Sequence, residues 1–529
     1  MNNALSGFGA SSKPSLAPTG NKLSWGAILA GVAGAAALGC IIAKFFIVAL
    51  LLVALTCVIF ATPFVNQLAV LTFWLLPYLI LNLPTGGVTL KVPELTSYLF
   101  MAATLARALL RRERITLPPA TLPVLLFLAV LALSAAVSPL IPSPYWGGFS
   151  GILSPNTRSF GLLFWLCLSW LLVVSLYHVV GRSPALYRRC VCAHIWSGAV
   201  VSLIGIVAYV STLRGSSWAL AAVGNSRGMV FSGGGSFRLT GVSYEPLLFA
   251  FYLMTVIPVA LTVAFYKQDW MPRRAVLGAL FLMGVALVLT FSAGGWIALV
   301  VGLALMVRLF RPQSIEYKKL LPFLLPALLP LLLVGIFYFL NPKMASVINF
   351  TFGKIASGGY KMRNEENLTG LRTFESHPIL GVGPSMMPFY FPVYHPSVRS
   401  MDNAYISYFV NNLYLTTLAE SGIVGFIALA LCGIFGLAAL CRPILRWGPR
   451  QVPVLTGLTI ALVGCAIQYW NTQNLFLIYF PALVGLACAG ERLALSEAEQ
   501  PLLAAEQPLP AALLAEQAIP ASLLKAGAR

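Results

Sequence analysis

The sequence predicts an all-α integral membrane protein, a polytopic bundle of about 12–14 transmembrane helices with one large outer loop. Three observations predict it. Hydrophobic residues make up 59% of the 529 positions and charged residues 9%, against roughly 25% charged in an ordinary soluble domain. Apolar runs of about 20 residues, the length of helix that crosses the hydrocarbon core, recur along the chain. Lys and Arg collect in every second loop, as the positive-inside rule requires. A water-soluble core is excluded, because too little polar sequence is left to face water. Alternating strands of the membrane-barrel type are absent, so helices must satisfy the backbone in lipid.

The elements follow in order. Residues 1–24 are polar and contain Gly, Ser and Pro, which reads as a disordered N-terminus. The apolar run after it shows no obvious cleavage site and reads as a retained first helix, not a removed signal peptide. Spans are expected at 25–43, 45–62, 66–84, 92–110, 121–140, 158–180, 191–212, 246–266, 274–292, 294–310 and 320–341. The large loop occupies 342–415, and the last spans, within 416–490, are 416–440, 453–470 and 473–490. Pro63, Pro77, Pro84, Pro258 and Pro322 lie in or beside spans, where neighbouring helices can re-satisfy the backbone. The tail 491–529 repeats Ala-Glu-Gln from Ala498, Ala505 and Ala515 and reads as Pro-broken and disordered.

Basic residues orient the set. Arg111, Arg112 and Arg114 mark one loop, and Arg182, Arg188 and Arg189 the next on that side. Lys267, Arg273 and Arg274, then Arg311, Lys318 and Lys319, then Arg442, Arg446 and Arg450 continue the alternation. Those loops are expected to be cytoplasmic, with both termini, leaving 141–157, 213–245 and 342–415 outside. The net charge of +19 thus reflects topology, and no nucleic-acid partner is expected. The nine cysteines avoid the large loop, which argues against a disulfide framework. Cys190 and Cys192 form a lone CxC, so zinc is not expected.

Two outer segments hold the unusual residues. One carries Arg214, Arg227, Gly233 to Gly235, Arg238, Tyr244 and Glu245; the other carries Lys354, Lys361, Arg363, Glu365, Glu366, Arg372, Glu375, His377, His395, Arg399 and Asp402. Basic residues outside run against the topological grain and suggest an anionic ligand. A phosphate or diphosphate would suit them, since guanidinium forks grip its oxygens with paired hydrogen bonds. The triple glycine could turn backbone N–H groups towards an anion or serve as a flexible turn. Gly381 and Gly383 read as turn glycines, His377 as a helix-end residue, and Glu420 as a first-turn carboxylate at a helix start.

The run from Arg363 through Phe374-Glu375-Ser376-His377-Pro378-Ile379-Leu380-Gly381-Val382-Gly383-Pro384, with Asn411-Asn412-Leu413-Tyr414-Leu415 and Glu420-Ser421-Gly422-Ile423-Val424-Gly425, resembles the O-antigen ligase/polymerase family of bacterial inner membranes. Arg238, Gly241 and Glu245-Pro246 are similar to that family's other outer loop. The resemblance implies a glycosyltransferase at the periplasmic face, with 342–415 as its periplasmic loop. Such an enzyme passes a glycan from a polyprenyl diphosphate carrier to a sugar hydroxyl, without nucleotide, metal or other cofactor. Its implied partners are the carrier-linked glycan, membrane lipid and other polysaccharide-assembly membrane proteins. Arg238 and Arg363 carry over as diphosphate ligands; Arg372 is a third candidate from its setting.

Two departures matter. The family's His-Asn element reads Asn411-Asn412, and its Ser-Arg element reads Ser292-Ala293. Without the histidine, Glu245, His395 or Asp402 would have to act as base. The loss favours a polymerase of carrier-linked repeats over a ligase acting on a lipid A core. A flippase or transporter is the reading from another class. It would place ionisable groups near the membrane midplane, where these spans have almost none.

Overall fold

A computed structural model describes residues 62–79, 82–85, 88–141, 155–215, 230–233, 236–243, 245–266, 268, 270–310, 359–394, 410–473 and 477–506, with isolated positions from 335 to 349. The spans expected at 25–43, 45–62 and 320–341 lie almost wholly outside these residues, as do His395, Asp402, Arg227, Gly234, Gly235 and Tyr244.

The described chain is an all-α polytopic membrane bundle with two short hairpins. In order it contains α1 (Val65–Leu75), β1 (Asn82–Thr85), β2 (Val88–Lys91), α2 (Val92–Leu110), α3 (Thr121–Val137), α4 (Pro155–Val179) and α5 (Pro184–Leu213). Then come β3 (Val230–Gly233), β4 (Ser236–Leu239), α6 (Pro246–Phe265), α7 (Arg273–Leu289) and α8 (Ala293–Phe310). The remainder comprises α9 (Gly359–Ser376), α10 (Met387–Tyr394), α11 (Leu413–Trp447), α12 (Pro453–Gln468) and α13 (Tyr479–Glu506). Five helices, α3 to α6 and α11, are long and apolar enough to cross a bilayer, and α8 and α12 are shorter apolar helices.

The centre of the bundle is α6. Every residue from Leu248 to Ala264 is buried, because α12, α7, α8 and α5 pack around it. Several polar atoms inside are spent locally or across helices. His194 of α5 meets Thr255 of α6 through Nε2 at 3.2 Å, and Ser197 Oγ donates to the Trp74 carbonyl at 2.6 Å. On the face expected to be cytoplasmic, Arg182 donates to Glu113 at 2.6 Å, and Arg492 reaches the Thr116 hydroxyl at 2.6 Å. These contacts tie the α2–α3 loop to α4 and α13.

Several boundaries depart from expectation. The helix expected over 66–84 ends at Leu75, just before Pro77, and the chain enters the β1–β2 hairpin. Proline has no N–H to continue the ladder. The helix expected from 416 begins at Leu413, because Asn412 caps it: its Oδ1 accepts the N–H groups of Tyr414 at 3.0 Å and Leu415 at 3.2 Å. Glu420 is therefore two turns inside α11 and not in its first turn. The tail, expected to be disordered from 491, continues α13 to Glu506.

The α11 helix is broken at Gly422, whose φ is +65° and ψ −168°. The Pro378–Pro384 turn fits into that break. Val382 and Gly383 donate to the carbonyls of Ala419 (3.0 Å) and Glu420 (2.9 Å), and Ile423 donates to Pro378 at 2.8 Å. A Cβ at Gly422 would collide with the Ile379 carbonyl, so only glycine brings the two backbones this close.

Candidate functional site

The site is built around the turn from α7 to α8. The end of α7 presents the carbonyls of Thr290 and Phe291 at the negative end of its dipole. The β3–β4 hairpin delivers a cation to them. Strand alternation sends Leu239 into the core against Gly205 and turns Arg238 to the other face. Arg238 donates from Nε to the Thr290 carbonyl at 3.0 Å and from Nη2 to Phe291 at 3.1 Å. Phe291 has φ +48°, a conformation that costs a non-glycine residue about 1 kcal/mol or more. The guanidinium thus holds a strained turn, with part of its donor set still unspent.

Glu245 arrives from the same hairpin. Gly241, at φ +55° against the Phe249 ring, turns the chain from β4 into α6, and Glu245 becomes the residue preceding Pro246 at the helix start. Its side chain is exposed and its charge acts on Arg238.

Arg363 arrives from α9. Exposed, it donates from Nη1 to Asn471 Oδ1 at 2.9 Å. Asn471 stands over Gly294 in the first turn of α8, where an added Cβ would come within 3.1 Å of its amide. Burial holds the Arg238 guanidinium below its usual range, the like charge of Arg363 pushes it further down, and Glu245 opposes both. Arg238, Glu245 and Arg363 therefore share one electrostatic neighbourhood beside the α7–α8 turn. Ser292 Oγ, buried in that turn, has no hydrogen-bond partner among the described residues.

Arg372 is not brought to this group. It lies nine residues beyond Arg363, about half a turn around the helix and roughly 13 Å along it. Its Nη1 donates instead to the Tyr394 carbonyl at 3.3 Å.

One residue of the second outer segment was given no role by the sequence. Glu366 lies on the buried stripe of α9 with Thr369, Gly370 and Thr373, and its Oε2 accepts the Asn411 amide at 3.2 Å. A carboxylate thus stands beside the position where the resembled family carries histidine. Its spacing of three from Arg363, on one helix face, was the available signal. Glu420 is also buried, accepting the N–H of Met387 at 3.3 Å. His377 packs edge-on to Tyr390 at 5.8 Å, and burial lowers its pKa. No three His, Cys, Asp or Glu gather as a metal site among the described residues.

Residues 278–430 match the family model described as O-Antigen ligase. That segment contains the α7–α8 turn, α9, the Pro378–Pro384 turn and the break in α11. It supports glycan transfer of the O-antigen ligase/polymerase type, on lipid-linked glycans in a multi-pass membrane protein. The search of curated proteins returned no match.

Proposed function

We propose, on the premise that residues 278–430 assign the chain to the O-antigen ligase/polymerase family, that it polymerises oligosaccharide repeats carried on polyprenyl diphosphate. The reaction takes place at the periplasmic face of a bacterial inner membrane, with both chain termini in the cytoplasm and 342–415 over the outer end of the bundle. The observation that carries this reading is the meeting of Arg238, Arg363 and Glu245 at the α7–α8 turn.

The chemistry follows from those groups. An acceptor sugar hydroxyl attacks the anomeric carbon of the carrier-linked glycan. The bond from that carbon to the diphosphate oxygen breaks, and its electron pair leaves with the polyprenyl diphosphate. Arg363, and the Arg238 donors not spent on Thr290 and Phe291, stabilise the charge arriving on the diphosphate. The hydroxyl proton passes to Glu245, the exposed carboxylate of the group; His395 and Asp402 are the other candidates from sequence. A second base is favoured by one contact, that of Glu366 with Asn411. Asparagine cannot take up the proton, and the neighbouring carboxylate can.

The absence of the histidine at Asn411 supports polymerase over ligase. Analysis of glycans in a strain lacking the protein tests this. Accumulated single carrier-linked repeats are expected; accumulated long carrier-linked chains would show a ligase instead. Unchanged transfer in purified membranes, with loss only of carrier translocation, would replace both with a flippase.

A further inference from the structure

A cavity of about 340 Å³ lies between α2 and α4 and shares no wall residue with the α7–α8 turn. At one end its wall holds Lys91, which precedes α2, with Glu94 in the first turn of α2 and Arg158 in the first turn of α4. Further along α4, Gly161, Trp165 and Leu168 line it, with Tyr98 opposite. Arg158 and Leu168 are ten residues apart, or roughly 15 Å of helix. The cavity is therefore elongated, with charge at one end and apolar walls below.

The two cations there are engaged differently. Lys91 Nζ is 3.6 Å from Glu94. Arg158 stacks on the Phe389 ring at 5.4 Å, and its guanidinium makes no hydrogen bond or close ion pair among the described residues. The acid acting on it, Glu420, is already engaged with the backbone of Ser385 and Met387. A half-buried guanidinium with an unspent fork is a site for a phosphate oxygen pair. Tyr98 and Trp165, 5.8 Å apart, suit the boundary between headgroup and hydrocarbon. At Gly161 an added Cβ would meet nothing within 4 Å, so the glycine keeps this wall open.

We propose that this cavity binds a second anionic amphiphile, a phosphate or diphosphate at the end of an apolar chain, with Arg158 on the phosphate and the Trp165–Leu168 wall on the chain. The site is independent of the transfer reaction, and its test reads binding and not turnover. The probe is radiolabelled farnesyl diphosphate, measured by equilibrium dialysis on the full chain in phosphatidylcholine nanodiscs.

Two molecules per chain are expected for the wild type. Arg158→Gln should weaken one of them at least tenfold, with Arg158→Lys intermediate. Gly161→Leu, which fills the cavity and touches no charge, should remove the same one, while Gly161→Ala keeps it. Arg363→Gln should remove only the other, so failure of the catalytic reading is seen separately. Unchanged binding in both Arg158→Gln and Gly161→Leu, in protein with wild-type melting behaviour, overturns the proposal. So does equal displacement by inorganic diphosphate, which would show a charge site without a chain site. Nanodiscs containing phosphatidylglycerol separate the sources. Displacement of the Arg158-dependent molecule there identifies a bilayer phospholipid as occupant, and retention identifies an isoprenoid diphosphate.

Discussion

Removing each of the two converging arginines separates binding from architecture, because the structure gives them unequal second duties. Arg238 is half-buried and donates to two carbonyls at the end of α7. Hydrogen bonds to a charged group are worth about 1.5–3 kcal/mol each, and the two are not additive. Arg238→Ala should therefore cost about 2–4 kcal/mol of stability and release the strained Phe291 turn. Arg363 is exposed, and its one hydrogen bond among the described residues is to Asn471. Arg363→Ala should leave the melting temperature nearly unchanged. If both stabilise a departing diphosphate, each alanine variant loses about 10²–10³ in rate, the usual effect of deleting one such donor. Lysine at 363 should restore part of this, retaining charge without the fork. The assay is consumption of carrier-linked repeats in membranes containing equal amounts of folded protein, with melting followed in detergent. Near-normal turnover by Arg363→Ala would refute the diphosphate assignment outright. Loss of activity in Arg238→Ala only in proportion to its lost folded fraction would make Arg238 a brace for the turn.

Four further outcomes are expected. Glu245→Gln should abolish polymer formation in protein that inserts normally, with Glu245→Asp partly active; turnover by the Gln variant would transfer the role to Glu366, tested next with Glu366→Gln. Gly422→Ala places a Cβ on the Ile379 carbonyl at a φ of +65°, so melting should fall by the equivalent of at least about 1–2 kcal/mol, whereas Gly433→Ala, which meets open space, should not destabilise. Burial raises the Glu113 pKa, but hydrogen bonding and charge from Arg182 outweigh it and leave the group below its usual range. Its stabilisation is then present at neutral pH and lost as pH falls below about 4.3 through the folded value, so the acid-side loss of melting temperature should be shallower in Glu113→Gln than in wild type. Reporter fusions after Arg399 and after Arg446 should report opposite compartments, and the same compartment for both would overturn the charge-derived orientation.

The spans were legible because apolar length is a local property, and α6, α7, α8 and α12 lie within a few residues of their expected limits. What escaped depends on contacts between distant segments. Asn412 lengthens α11 through one side-chain oxygen, and the break at Gly422 exists only because the Pro378–Pro384 turn donates into it. The turn glycines were readable, but their partner was not. The electrostatic coupling of Arg238 with Arg363 had only the basic outer segments and the family pattern to suggest it, since the two are far apart in sequence. That pattern could not show that Arg238 divides its donors with the backbone of α7. Arg372 and Glu366 were separable by helical phase, one half a turn from Arg363 and the other on the buried stripe, once α9 was known to be helix.

The enclosure of α6 bears on how the chain is made. This most hidden helix is also strongly apolar, so it can leave the insertion machinery for lipid unaided. Its most extensive neighbour, α12, is synthesised only after the whole 342–415 segment. Through that interval α6 lacks the neighbour that covers one of its flanks in the finished bundle. Apolarity here provides passage into the bilayer during synthesis, and the finished protein then hides the same surface from lipid altogether.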